Sequence, residues 1–242
     1  MAKAAAALRK LFTIDQDVQL ETKEPEHVWR NMPHCSKREY GPIDTIVIHC
    51  TAGGSTDGAY STMVSRGVSS HIIIPDFDKA TEPTKTIRLV SDEKKSYHVL
   101  KTVKFQGKQD TNSRSLGIEI VNTGMEGDPY SLKQVAETAA WCRWWMSKHP
   151  IKYIVSHAYL DPGRRADPCV TFPWDDFIKE VMRNVNDAIE QPTIKFSFMG
   201  RILDSDGEIQ DGAAWGEVRP IVEALGYRVS YDAATKTVFI NK

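Results

Sequence analysis

Residues 43–50 read Ile-Asp-Thr-Ile-Val-Ile-His-Cys. After Asp44 the stretch is β-branched and almost wholly apolar. A run so short and so apolar predicts a strand buried on both faces of a sheet. It ends in His49, Cys50 and Thr51, followed by Gly53 and Gly54. A polar cluster at the end of a buried strand is where open α/β sheets commonly place chemistry.

Working outward from this strand, residues 57–66 predict a short helix. Residues 68–75 predict a second strand, stopped by Pro75, and residues 85–90 and 96–100 give weaker strand patterns. Residues 114–122, RSLGIEIVN, predict a further strand with Glu119 inside it. Ser131 then opens a helix: Ser131 and Gln134 have capping-box spacing. Leu132, Val135, Ala136, Ala139, Cys142 and Met146 form one apolar face, and the helix stops before Pro150. Trp141, Trp144 and Trp145 near its end read as packing residues. Residues 151–155 predict a short strand leading into Ser156 and His157, then a loop over residues 161–173 and a closing helix from Trp174 to about residue 190. Strands alternating with helices predict an α/β fold, a mixed central β-sheet flanked by helices.

The sequence predicts a domain boundary at Gln191-Pro192-Thr193. Three segments follow: an N-terminal extension over residues 1–39, a main domain over 40–190, and a small C-terminal α+β domain over 194–242. In the last of these we expect a strand at 194–199, a loop with Gly200, Gly207 and Gly212, a helix near 214–225, and a hairpin of 227–231 with 237–241. Residues 1–12 have a short apolar run broken by Arg9 and Lys10, so we expect a short amphipathic or frayed helix rather than a secretion signal.

The chain has 242 residues, 41% hydrophobic and 26% charged, with a formal net charge of −1. That length is ample for a core without metal or disulfide support. The balanced charge disfavours a general nucleic-acid binder, and no apolar run reaches the ~18–20 residues of a membrane span. Four cysteines, Cys35, Cys50, Cys142 and Cys169, lie in no C-x-x-C pair, and we expect reduced thiols.

Three polar clusters follow or interrupt predicted strands: His49, Glu119, and His157 with the loop behind it. A catalytic zinc usually takes three protein ligands and leaves one position open. His49, His157 and Asp167 would supply such a set, with Cys169 as an alternative third ligand on the same loop. Taken singly, each residue is a weak signal. A lone strand-end histidine is more often a hydrogen-bonded core residue, and a lone Asp before proline is more often a turn residue.

The segments IVIHCTAGG, VSSHIII, SYH, SLGIEI and SHAYLDPGRRADPC occur in that order. Together, over roughly residues 40–190, they resemble the zinc-dependent N-acetylmuramoyl-L-alanine amidases of the type 2 amidase family, which share their fold with peptidoglycan recognition proteins. The resemblance implies zinc bound by His49, His157 and an Asp or Cys of the last loop, with Asp167 preferred over Cys169. It implies Glu119, in Gly117-Ile118-Glu119, as general base. Arg165 stands where relatives carry a lysine; it can donate to a developing oxyanion but cannot readily supply a proton. Ser70 stands where some relatives carry a tyrosine, so a tyrosine role is not expected. His98 matches a histidine lining the substrate groove, and His71 a structural one. The implied reaction is hydrolysis of the amide between N-acetylmuramic acid and L-alanine in peptidoglycan by a zinc-activated water.

The C-terminal segment VRPIVEALGYRVSYDAATKTVFIN resembles the copper amine oxidase N-terminal-like domain, a module of bacterial envelope proteins. It has no His and no Cys to bind copper, and the implied role is attachment to the cell wall. Catalytic region first and binding module second suggest a phage or prophage endolysin, made in the host cytoplasm without a signal peptide and acting on the wall after release. The alternatives are a cytosolic muropeptide-recycling amidase and a non-catalytic peptidoglycan-binding protein of the same fold. Oligomeric state is not legible.

Overall fold

The computed structural model describes residues 9–14 and 23–183 and, beyond them, residues 196–198, 201–203, 207–210, 213–216, 226, 228–232 and 237–241. The chain divides into two units, Met1–Val185 and Asn186–Lys242.

The strands of the first unit are β1 (Leu11–Thr13), β2 (His27–Trp29), β3 (Cys35–Lys37), β4 (Thr45–Cys50), β5 (Ile72–Ile74), β6 (Thr86–Arg88), β7 (Lys94–Ser96), β8 (Ser115–Ile120) and β9 (Tyr153–Ser156). Its helices are α1 (Thr56–Arg66), α2 (Leu132–Lys148), α3 (His157–Leu160) and α4 (Trp174–Val181). Seven strands form one sheet in the order β1-β9-β4-β8-β5-β6-β2. The central four, β9, β4, β8 and β5, run parallel, β1 is antiparallel to β9, and β6 is antiparallel to β5 and parallel to β2. This is the predicted mixed sheet with flanking helices.

The opening stretch explains the centre. Ile46, Val47 and Ile48 are all fully buried, and their side chains alternate between two cores. Ile46 and Ile48 join Leu116, Ile118, Ile120, Ile154 and the Trp141 and Trp145 rings of α2. Val47 joins Val99, Phe105, Val155 and Leu160 on the other face. Each such side chain buried contributes about 1.5–3 kcal/mol. The tryptophans of α2 are packing residues, as expected. So is its cap: the Gln134 amide donates to Ser131 Oγ (3.2 Å) and Gln134 Oε1 accepts from the Ser131 amide (3.1 Å). Helix α1 stops at Gly67, whose φ of 67° lies in the left-handed region that glycine takes without strain.

Some expectations need correction. The strand expected at 96–100 is β7, which starts earlier and pairs with β3 outside the main sheet. Beyond Ser96 the backbone is claimed by side chains: the Tyr97 amide donates to Ser69 Oγ (2.8 Å), and Asn112 bonds both the amide (2.9 Å) and the carbonyl (2.7 Å) of Val99. The expected N-terminal extension supplies both edge strands of the sheet, β1 against β9 and β2 against β6. Residues 11 and 12, expected in a helix, lie in β1. The closing helix runs over Trp174–Val181, and its expected remainder from 184 lies outside the described residues.

The second unit shows three antiparallel pairs: Phe196–Phe198 with Arg201–Leu203, Gly207–Gln210 with Ala213–Gly216, and Arg228–Asp232 with Thr237–Asn241. The last is the predicted hairpin. The second occupies the expected loop and the start of the expected helix, and residues 217–225 of that helix lie outside the described residues. Among the described residues no helix is long and apolar enough to cross a membrane.

Candidate active site

Strand order brings the three polar clusters together. In the parallel register His49 pairs with Glu119, and Ile48 with Ser156, the residue before His157. His157, His49 and Glu119 therefore stand in a row at the C-terminal ends of β9, β4 and β8. Alternation puts His49 on the Val47 face, away from α2. His157 also begins α3, where Ser156 Oγ caps the helix by accepting from the Tyr159 amide (3.0 Å). Asp167 arrives on the loop after α3, held by a bond from the Ala158 amide to the Asp167 carbonyl (2.9 Å).

Three donor atoms converge. His49 Nδ1 lies 2.9 Å from His157 Nδ1 and 3.1 Å from Asp167 Oδ2, and His157 Nδ1 lies 3.0 Å from the same oxygen. Both imidazoles are buried. Burial, with His157 adding, pushes the His49 imidazole down to about 4, so it is neutral at pH 7. Burial raises the Asp167 carboxyl, but its bonds to His157 and His49 outweigh this and hold it far below the usual carboxylate range. The set is two imidazoles and a carboxylate. A tetrahedron of ~2.0–2.1 Å bonds has edges of about 3.3 Å, so the triangle fits a small divalent cation such as zinc.

Behind His49 lies a directional chain that the sequence did not reveal. His49 Nε2 is 3.0 Å from His98 Nδ1, His98 Nε2 is 3.0 Å from Ser115 Oγ, and Ser115 Oγ donates to the Thr111 carbonyl (2.7 Å). A carbonyl only accepts, so it fixes the chain. Ser115 gives its proton to Thr111 and accepts from His98 Nε2. His98 Nδ1 then accepts from His49 Nε2, and the His49 Nδ1 lone pair faces Asp167 and His157. Gly117 makes room for this: a Cβ there would lie 2.7 Å from His98 Cγ. His98, expected to bind substrate, borders the same cavity as Glu119, and its ring is buried with both nitrogens engaged. His71 is spent on the scaffold, its Nδ1 accepting from the Gly117 amide (2.9 Å). Among the described residues His157 has no comparable anchor, since its Nε2 is buried without a partner there.

Glu119 and Arg165 complete the site. Among the described residues, Glu119 Oε2 is buried without a hydrogen-bond partner. Burial first, and then the negative charge of Asp167, hold the Glu119 carboxyl well above its ordinary 4.5, while Arg165 pulls the other way. Arg165 is exposed on the loop and lines the same cavity as Glu119, of about 380 Å³. Thr51, Met63, Arg66, Tyr97 and Arg164 line it further. Cys169 also borders it, but its sulfur faces Cys50 (3.4 Å) and it stands outside the convergent triplet.

A family profile described as N-acetylmuramoyl-L-alanine amidase matches residues 39–170. The N-acetylmuramoyl-L-alanine amidase AmiD of Escherichia coli (strain K12) is 26% identical over 151 residues, 58% of this chain and 54% of AmiD. The chain thus spans about half the length of that relative. The structure of Escherichia coli AmiD with anhydro-N-acetylmuramic acid-L-Ala-D-γ-Glu-L-Lys matches with a TM-score of 0.51 at 26% identity, covering 60% of each chain. A selenomethionine derivative of AmpD shares the fold, with a TM-score of 0.52 at 21% identity, covering 67% of this chain and 99% of AmpD.

Proposed function

Since the chain belongs to the N-acetylmuramoyl-L-alanine amidase family, we propose that it hydrolyses the amide between N-acetylmuramic acid and L-alanine in peptidoglycan, with zinc held by His49, His157 and Asp167. The observation that carries this reading is the meeting of His49 Nδ1, His157 Nδ1 and Asp167 Oδ2 within 2.9–3.1 Å, with Glu119 on the adjacent strand. When bound, zinc supplies Lewis acidity, polarising the amide carbonyl and lowering the pKa of water toward ~7.

The chain's own residues handle the protons. Glu119 sits beside the metal ligands with an uncommitted oxygen. It takes a proton from the attacking water and delivers it to the leaving amide nitrogen. A carboxyl with a raised pKa suits both halves of that task, since it gives the proton back readily. Arg165 presents a guanidinium to the cavity and donates to the developing oxyanion. His98 is a positioning residue that holds the His49 lone pair on the metal. Replacing His98 with Phe, which removes the acceptor, should weaken zinc binding about 10–100-fold. Replacing it with Asn, whose Oδ1 stands near the place of Nδ1, should restore most of that affinity. Chelator competition reads both; equal affinity in His98→Phe and wild type would refute the positioning role.

The separate C-terminal unit supports a wall-acting enzyme, an endolysin that is made in the host cytoplasm and grips peptidoglycan with its second unit. A second reading is supported by the AmiD structure, whose bound substrate is the muropeptide anhydro-N-acetylmuramic acid-L-Ala-D-γ-Glu-L-Lys. Incubating the protein with purified cell walls and, separately, with such a muropeptide distinguishes them. New L-alanine amino termini from intact walls are expected of the endolysin. Release from the soluble substrate alone marks a recycling amidase. Binding to walls without release from either substrate marks a non-catalytic recogniser and contradicts the enzymatic reading.

A further inference from the structure

Beside the metal ligands lies a second pair of reactive groups that the hydrolytic chemistry leaves idle. Cys50 ends β4, next to His49, and Cys169 lies two residues past Asp167. Their sulfurs are 3.4 Å apart although 119 positions separate them in the chain. The room for this approach is made by Gly124. A Cβ at that position would lie 2.5 Å from Cys169 Sγ, and the φ of 75° there is one that side-chain-bearing residues rarely adopt. Both cysteines border the cavity, and Cys169 is part-exposed. The other two thiols are placed differently: Cys35 Sγ donates to the Met32 carbonyl (3.6 Å), and Cys142 is wholly buried in the main core.

We propose that Cys50 and Cys169 are a modification site, forming a reversible disulfide that ties the strand bearing His49 to the loop bearing Asp167. The co-reactant is a low-molecular-weight disulfide of the glutathione class. The Cys169 thiolate attacks one sulfur of the oxidised glutathione and expels one glutathione thiolate. The Cys50 thiolate then attacks Cys169 Sγ in the mixed disulfide and expels the second. The protein loses two hydrogens, one S–S bond forms where another is consumed, and two glutathione thiols leave. Closing the gap from 3.4 Å to an S–S bond of ~2.05 Å needs a small side-chain movement. The bond closes a long loop, which restricts the unfolded chain. None of this depends on the metal.

The test treats the full-length protein with oxidised glutathione, then alkylates it under denaturing conditions and maps its peptides. The expected result is a Cys50–Cys169 linked peptide, Cys35 and Cys142 alkylated, and a Tm raised by roughly 5–15 °C. Dithiothreitol should reverse both the link and the rise, and Cys169→Ser should show neither, with Cys50→Ala as the matched control from the other side. Four alkylated cysteines, a lasting glutathione adduct on Cys169, a link through Cys35 or Cys142, or a link without a rise in Tm would each overturn the proposal.

Discussion

Glu119→Gln is expected to keep zinc at full stoichiometry and to reduce amide hydrolysis by at least about 10²–10⁴-fold. The amide side chain has nearly the same shape, so the strand and the triplet should persist, but it cannot accept the proton of the attacking water. The pH behaviour of the wild type gives a second check. Glu119 acts as a base only when ionised, and its carboxyl titrates well above 4.5 because it is buried beside Asp167. Hydrolysis should therefore rise with pH through that elevated pKa. The stability effect has the opposite sign. In the metal-free fold Glu119 keeps a proton that the unfolded chain releases above pH 4.5, so this residue costs the fold stability as pH rises past that value. Glu119→Gln removes the cost, and the metal-free variant should melt no lower than wild type at neutral pH. Wild-type turnover in the variant would refute the base assignment.

His49→Ala should lose zinc and activity together. It removes one of three ligands and cuts the link to the His98–Ser115–Thr111 chain. A larger loss of zinc affinity is expected than the ~10–100-fold typical of a second-layer partner. Thermal melts give an independent readout. A ligand at 100 times its Kd stabilises a fold by about 2.7 kcal/mol, so zinc should raise the Tm of wild type and leave His49→Ala unmoved. Zinc retained at full stoichiometry by His49→Ala would remove His49 from the ligand set.

What the sequence revealed follows the range of the interactions. Strand β4 was legible because Ile46, Val47 and Ile48 leave little choice but burial on two faces. The α2 cap was legible because Ser131 and Gln134 are three residues apart. The meeting of His49 with His157, 108 positions away, required knowing that β9, β4 and β8 are neighbours, which no local pattern states. The family resemblance named these residues but not the distances between them. Strands β1 and β2 escaped notice because three residues at a sheet edge, part-exposed, carry no clear period. The hydrogen-bond chain through His98 was not legible because it depends on Ser115 and Thr111 behind it and on the missing side chain of Gly117, none of which the tripeptide Ser96-Tyr97-His98 contains. Gly117 and Ser115 were visible in SLGIEI, and a glycine in a buried strand is the signal that a neighbour comes close.

The most direct test is to identify the metal and its ligands in the purified wild-type protein, by anomalous diffraction at the zinc edge together with X-ray absorption. The expected result is one zinc per chain, bound by Nδ1 of His49, Nδ1 of His157 and a carboxylate oxygen of Asp167, with no sulfur ligand. Zinc held through Cys169 in place of Asp167, or full hydrolytic activity in protein stripped of metal, would contradict it.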